Sequence, residues 1–517
     1  MKTLRITLCA LMLAGLLPIL AAMPTRAATC TTTLTAGSNI QAAIDAAAGG
    51  DVICLAAGTY SPASTIIVNK SVTLQGPQTG VDPRPSAGTT RTPGETSTEA
   101  IVDGGRTLAT IFRITADGVV LDGLEIRNGT GDMVDSPIGS DIANVALQYN
   151  IIRDALGDEG IQLRDCTDCV IEYNHVFDIA QDGINLCCGS TGGLIQFNEV
   201  HEDHSENAAV YIYDATLTTI QCNLVYNVTR NEGIKLGTKG GGDAALSGGS
   251  IRYNVVHDTA QDGIAVYTSE TLVDGNEVYS SNSENGAIYV AHAVANITIA
   301  DNNVHDNTLN PVKWGDPAGI MIGTAVNATS VTVRNNNIAG NVVNGVTNKA
   351  AGLLNAQSNW WGAAGGPGVV GPGSGDKVST NVDFANWLTE RARPEGENPC
   401  EEPTAIELAS FTAEVSGGTV TLAWETAAEI DNAGFNLYRA TTPDGPYTQI
   451  NGALIVAQGE AASGARYSFL DHGLLPGAYY YRLEDVDTYG VTTLHGPLSA
   501  QVAPNLRRPS YRPISPQ

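Results

Sequence analysis

The 517-residue chain carries 54 acidic residues against 27 basic ones, a formal net charge of −27. That balance excludes nucleic acid as a partner, because a polyphosphate requires a basic footprint. If the ligand is an acidic polymer, the repulsion must be bridged, most directly by Ca²⁺ held on carboxylates.

At the start of the chain, Lys2 and Arg5 precede an apolar run from Leu8 to Ala22 and small residues at Ala27 and Ala28. This is the layout of a cleaved secretion signal over residues 1–27. Gly15 and Pro18 interrupt the run, which is shorter than the roughly 20 residues of a spanning helix, so no transmembrane segment is expected. The protein is expected to be secreted or at the cell surface. Eight cysteines follow, Cys30, Cys54, Cys166, Cys169, Cys187, Cys188, Cys222 and Cys400, which suits an oxidising compartment. Cys166-x-x-Cys169 and Cys187-Cys188 lie about one repeat apart and read as disulfides or stacked thiols between adjacent coils, with zinc as the alternative.

An Asn-x-Val/Ile step recurs at Asn150, Asn174, Asn198, Asn223, Asn254, Asn276, Asn302 and Asn336, at spacings of 24, 24, 25, 31, 22, 26 and 34 residues. A beat of two dozen residues with occasional insertions is one rung of a β-solenoid with loops bulging from some rungs. Short alternating stretches precede the steps, as in Val170-Ile171-Glu172-Tyr173. Between the steps lie Gly160-Ile161-Gln162-Leu163, Gly183-Ile184-Asn185-Leu186, Gly233-Ile234-Lys235-Leu236 and Gly263-Ile264-Ala265-Val266. With period two, the outer residues of each strand point inward and the middle one outward. The recurrent Asn is a scaffold residue, since an inward Asn at a turn can bond its counterparts above and below.

These motifs resemble the pectin-lyase-like right-handed parallel β-helix superfamily over roughly residues 29–390. Ser38-Asn39-Ile40-Gln41-Ala42-Ala43-Ile44-Asp45, Asp51-Val52-Ile53-Cys54-Leu55, Gly58-Thr59-Tyr60 and Ser71-Val72-Thr73-Leu74-Gln75-Gly76 are similar to its usual opening. Ser38 or Asn39 can cap a short helix with Ile40, Ala43 and Ile44 on one face, which would plug the open end of the stack. Within that opening, Cys30 is expected to pair with Cys54. Asn359-Trp360-Trp361-Gly362, Gly366-Pro367 and Asn381-Val382-Asp383-Phe384 resemble a closing coil.

Residues 391–404 are rich in Pro and Glu and read as a linker. Beyond them Val420-Thr421-Leu422-Ala423-Trp424, Gly434-Phe435-Asn436-Leu437-Tyr438-Arg439 and Tyr479-Tyr480-Tyr481-Arg482-Leu483 indicate a small antiparallel β-sandwich over 405–504. It resembles a fibronectin type III-like module, which implies association with a cell surface. Residues 505–517 read as a disordered tail. The fold class is therefore all-β, a parallel β-helix followed by a β-sandwich.

Stacking the Gly-Ile-x-Leu strands puts Gln162, Asn185, Tyr211, Lys235, Ala265 and Tyr289 in one outward column. Arg164, Cys187, Tyr213, Gly237 and Tyr267 form a second, and Glu159, Asp182, Ala208, Glu232 and Asp262 stand at the strand entries. Rungs are about 4.8 Å apart, which places Asp182 and Glu232 about 9.6 Å apart. Carboxylate separations of either an inverting or a retaining glycosidase are within reach. In polygalacturonase-like members of the superfamily the catalytic acids precede such strands, and Asp182, Glu232 and Asp262 stand in similar positions. The chain departs from that pattern in having no acid pair in an Asp-Asp-Cys setting, no Gly-His-Gly and no Arg-Ile-Lys.

Lyase chemistry needs a base for the C5 proton of a uronate and a cation to stabilise the carboxylate. In that reading Lys235 or a nearby Tyr is the base, while Asp182, Glu232 and Asp262 hold Ca²⁺. Arg164, Tyr211, Tyr213, Tyr267 and Tyr289 would bind the sugar, the tyrosines as a stacking platform. The inserted loops 238–249 and 308–317 would wall the groove. Against this stands a non-catalytic surface or adhesion protein, in which the acids are solvated turn residues and the tyrosines a β-propensity stripe. His201, His257 and His305 share a slot filled elsewhere by Phe177, Tyr226 and Tyr279 and read as structural, whereas His204 and His292 fall outside that register.

Overall fold

Each coil is assembled from three short strands separated by turns, so the backbone advances one strand spacing per circuit. The computed structural model describes residues 29–201, 204, 207–238, 248–308, 310, 316–393, 400, 406–429, 432–443, 445–459, 464–487 and 492–503. The expected leader and tail, most of the linker and the greater part of the loops 238–249 and 308–317 lie outside these residues. The chain forms two units, one over Pro24–Glu401 and one that includes Glu402–Gln517.

In the first unit, the described residues form parallel sheets of 14, 11 and 11 strands. One circuit runs from Ala146–Gln148 in the first sheet, through Ile151–Ala155 in a second, to Ile161–Arg164 in a third, and back to Val170–Glu172. Apolar residues stack in register inside: Leu147, Ile171, Ile195 and Ile220 in the first sheet, Ile152, Val176, Val200 and Val225 in the second, and Ile161, Ile184, Val210 and Ile234 in the third. All belong to one buried cluster that runs the length of the unit. Parallel ladders of this kind bury one face of every strand without needing long strands.

The recurrent Asn behaves as its spacing suggests. Asn150 donates its backbone N–H and its side-chain amide to Asn174 Oδ1 at 3.0 and 3.1 Å, and also donates to Leu121 O. The same pattern passes from Asn174 to Asn198, Asn223, Asn254, Asn276, Asn302, Asn336 and Asn359. The residue before each Asn takes a left-handed conformation, including the bulky Tyr149, Tyr173, Phe197 and Tyr253 at φ of 52–55°. That costs about 1–2 kcal/mol per non-glycine residue, which the buried ladder offsets by satisfying the turn.

The N-terminal end is closed by a helix at Ile40–Ala46, capped by Asn39, whose side chain accepts from Ala42 N at 3.0 Å. Cys30 and Cys54 are joined by a disulfide. The other cysteines differ from the expectation of pairing between coils. Cys166 bonds Cys169 and Cys187 bonds Cys188, each within its own coil, while Cys222 bonds Cys400. The reason is local: Cys166 and Cys169 straddle a turn, with Cα atoms 6.0 Å apart, inside the range a disulfide spans.

Between Gly76 and Ala100 the chain leaves the coil in a long excursion. Arg91 anchors it, forming a fully buried bidentate pair with Glu99 and donating to Val81 O and Tyr149 O. Further along, Ser86 N donates to Glu199 of a coil 113 residues away, and Arg84 lies over the Tyr173 ring.

The second unit is antiparallel. Ile406–Ser416, Thr419–Glu429 and Arg466–Asp471 form one sheet, and Asn432–Ala440, Gly477–Asp487 and Thr492–Val502 with two short strands form the other. Trp424 stacks on Tyr467 at 5.2 Å and meets Phe435 from the opposite sheet edge-on, so the two sheets share one core.

Candidate functional site

The third sheet presents the outward columns in the register that the spacing implies. Gln162, Asn185, Tyr211, Lys235, Ala265 and Tyr289 are consecutive partners, and Arg113 with Asp135 extends the column toward the N-terminus. Arg164, Cys187, Tyr213 and Gly237 form the second column.

Lys235 sits at the centre. Its ammonium lies 3.3 Å from Glu232 Oε1 and 5.3 Å from the ring centroids of both Tyr211 and Tyr267. Tyr267 meets the rings of His292 and Tyr289 edge-on at 4.7 and 6.1 Å. Gly237 follows on the same face, where a Cβ would stand in ordinary contact with the Tyr267 ring at 3.4 Å. Burial raises the Tyr267 phenol far above its ordinary range, reinforced by Asp262 and Glu232, so it stays a proton donor. His292 is shifted the other way, its ring held neutral first by burial and then by the Lys235 charge. It also adopts a left-handed φ of 66°, a conformation sparsely used by non-glycine residues and frequent at working sites.

The entry acids are not solvated turn residues. Asp182 and Asp262 are buried because the following coil supplies their donors. Asp182 accepts from Asn185, from the backbone and side chain of Asn207, and from Ala208 N. Asp262 accepts from Ser283 and Asn285, and burial followed by Glu232 pushes its carboxyl up to about 7. Together with Glu232, which pairs with Lys235, these acids line up along the face. Among the described residues, however, the three carboxylates do not come within 4.8 Å of one another.

Asp132, Asp158 and Glu159 do converge within that distance. Asp132 fills the entry slot of its own coil, because Val134 is the partner of Ile161. Glu159 is raised by burial and then by its two carboxylate neighbours, and Asp132 is raised by burial. Arg164 closes the cluster, its guanidinium 3.1 Å from Asp132 and also donating to Ser136 O. Such a donor set of oxygens fits Ca²⁺ better than the three acids near Lys235 do.

Tyr211 and Tyr213 are only 6% and 7% exposed, and they pack with Cys187, Ala208 and Cys188 as a small apolar patch. Tyr267 and Tyr289 are half-buried. The histidines of the repeat slot lie on the second sheet, where Phe177, His201, Tyr226, His257, Tyr279 and His305 stack at 4.6–5.4 Å. Their ring faces cover one another. His204 bonds Thr229, away from Lys235.

Comparison with solved structures finds the A-module of the mannuronan C-5 epimerase AlgE6 of Azotobacter vinelandii, at 15% identity over 70% of this chain and 97% of that one, with a TM-score of 0.53. The pectate lyase Pel9A matches at 13% identity over 75% and 86% of the two chains, with a TM-score of 0.38. The PL6-family alginate lyase AlyGC matches at 12% identity over 83% and 57%, with a TM-score of 0.42. At 15% identity the likeness to the AlgE6 module is one of fold. No curated protein matches the sequence. The family model described as the right-handed beta helix region matches residues 104–225 and 192–381, more than half of the chain. By that match and by its three stacked parallel sheets, the chain belongs to the right-handed β-helix family.

Proposed function

We propose that the protein is a secreted, carbohydrate-active β-helix protein that binds an acidic polysaccharide along its third sheet and abstracts the C5 proton of a uronate, acting as a lyase. The observation that carries the reading is the group around Lys235, with one cation, one neutral imidazole and one persistent phenol on a single outward face. The name of the AlgE6 module, a C-5 epimerase of mannuronan, adds support for a uronate polymer.

In this reading the Lys235 ammonium, held by Glu232, pairs with the uronate carboxylate and stabilises the charge that grows on it as the C5 proton leaves. His292, neutral near pH 7, takes the proton. Tyr267 donates to the departing glycosidic oxygen. A Ca²⁺ ion, where bound, would be held by Asp132, Asp158 and Glu159 and would neutralise a neighbouring uronate. The C-terminal unit serves as a fibronectin type III-like spacer toward a surface.

Incubation with a panel of uronate polymers, with and without Ca²⁺, tests the reading. Elimination yields an ultraviolet-absorbing unsaturated end. In D₂O, deuterium at C5 without unsaturation would identify return of the proton instead, and neither signal from a broad panel overturns catalysis. A second reading, binding without cleavage, is favoured by the saturated hydrogen bonding of Asp182, and retention on an immobilised polymer without product would establish it.

A further inference from the structure

On the second sheet, away from Lys235, two imidazoles and a carboxylate meet under the excursion between Gly76 and Ala100. His175 and Glu199 are direct partners on neighbouring strands, and His201 lies two residues beyond Glu199. The two Nε2 atoms are 2.8 Å apart, and one oxygen of Glu199 lies within 4.8 Å of a nitrogen of each ring. His175 and Glu199 are 4% and 1% exposed. Glu199 accepts from Ser86 N at 2.9 Å through one oxygen and from the Tyr226 hydroxyl at 2.9 Å through the other.

Two ring nitrogens this close must share something between them. A single proton serves if one ring is a donor and the other an acceptor, and a metal ion bound by the lone pairs of both nitrogens serves as well. An imidazole in its neutral form binds a metal through a ring-nitrogen lone pair, and both rings present a nitrogen to the same point. Two imidazoles and one carboxylate are also a frequent protein ligand set for zinc.

We propose that His175, His201 and Glu199 form a site for a divalent transition-metal ion of the zinc class. The ion takes the place of the shared proton, which moves to the Nδ1 of the ring that donated it; the ion binds both Nε2 lone pairs and one Glu199 oxygen, and leaves a fourth position to water. Tetrahedral ligation at about 2.0–2.1 Å requires the two nitrogens to part by roughly half an ångström, which small side-chain rotations on separate strands supply. The ion would pin two coils together and, through the bond from Ser86 to Glu199, hold the excursion down. The site is independent of any reaction at Lys235.

The test uses the full, untagged chain, freed of metal and kept in excess Ca²⁺ so that exposed carboxylates are occupied. Calorimetric titration with ZnCl₂ should give one equivalent. Titration with Co²⁺ should give the visible absorption of a four-coordinate ion. His201→Phe keeps a ring in the aromatic stack but removes the ligand, and Glu199→Gln removes the charge. Each should weaken Zn²⁺ binding at least about tenfold, with His201→Phe still folding cooperatively without metal, at a melting temperature lowered by the lost partner of His175. Absence of Zn²⁺ uptake by the parent, or an unchanged isotherm and Co²⁺ spectrum in His201→Phe, overturns the proposal.

Discussion

Lys235 and Glu232 lie three residues apart on one strand and join across 3.3 Å, both largely buried. In the free protein Glu232 balances the Lys235 charge, and in the proposed reading the ammonium turns a further N–H toward an incoming carboxylate. Lys235→Met should lower turnover of a uronate polymer at least about 100-fold, the usual cost of losing one charge-stabilising group. It should also destabilise the fold by about 1–3 kcal/mol, because Glu232 loses its partner. Adding Glu232→Gln should recover most of that stability and none of the activity. Melting curves and initial rates of the two single variants and the double variant check both statements.

The Asn ladder predicts a position-dependent cost. Asn223 receives two donors from Asn198 and gives its own to Asn254 and to Ile195 O. Asn223→Ala therefore orphans buried groups on both sides and should cost at least about 2 kcal/mol. Asn381, which is partly exposed and donates to Ala350 O, can be replaced by water, so Asn381→Ala should cost less than about 1 kcal/mol. Urea unfolding midpoints separate the two.

The excursion between Gly76 and Ala100 depends on one ion pair. Arg91 and Glu99 have side chains 1% and 0% exposed. Replacing Arg91 by Met leaves the Glu99 carboxylate uncompensated, with an expected loss of about 3–5 kcal/mol. Because Arg91 also holds Val81 and Tyr149, the segment should become the first site of limited proteolysis. A cleavage map by mass spectrometry checks this, and an unchanged map would mean that Arg84 and Ser86 suffice.

What was legible in the sequence was whatever repeats. The Asn beat and the glycine before each Ile set the register, so the column from Gln162 to Tyr289 could be read directly. Asp132 escaped because its coil has Asp132-Met133-Val134-Asp135 in place of a Gly-Ile-x-Leu strand. The burial of Asp182 and Asp262 depends on Asn207, Ser283 and Asn285, which reach them from the next coil and follow no motif. His175 and Glu199 carry no such signal, since their common slot reads Glu125, Ile151, His175, Glu199, Leu224, Val255 and Glu277 along the stack, a mixture without a motif, and their meeting with His201 needs the register of neighbouring strands. The excursion, lacking any period, left no sign that it would reach Glu199.

Asp262 predicts a pH dependence with a definite sign. Its carboxyl is raised from 3.8 to about 7 in the folded protein, by burial first and then by Glu232. The folded state therefore binds the proton more tightly than the unfolded chain does. Its contribution to stability is fully present below about pH 4, falls as pH rises through the interval, and is lost above about pH 7. At about 1.4 kcal/mol per unit, the swing is on the order of a few kcal/mol. Asp262→Asn removes the titration and keeps an oxygen to accept from Ser283. The difference in melting temperature between parent and variant should shift in favour of the variant from pH 4 to pH 7 and level off beyond it. A difference that stays constant across this interval would show that Asp262 titrates near its ordinary value and that Ser283 and Asn285 stabilise the anion fully.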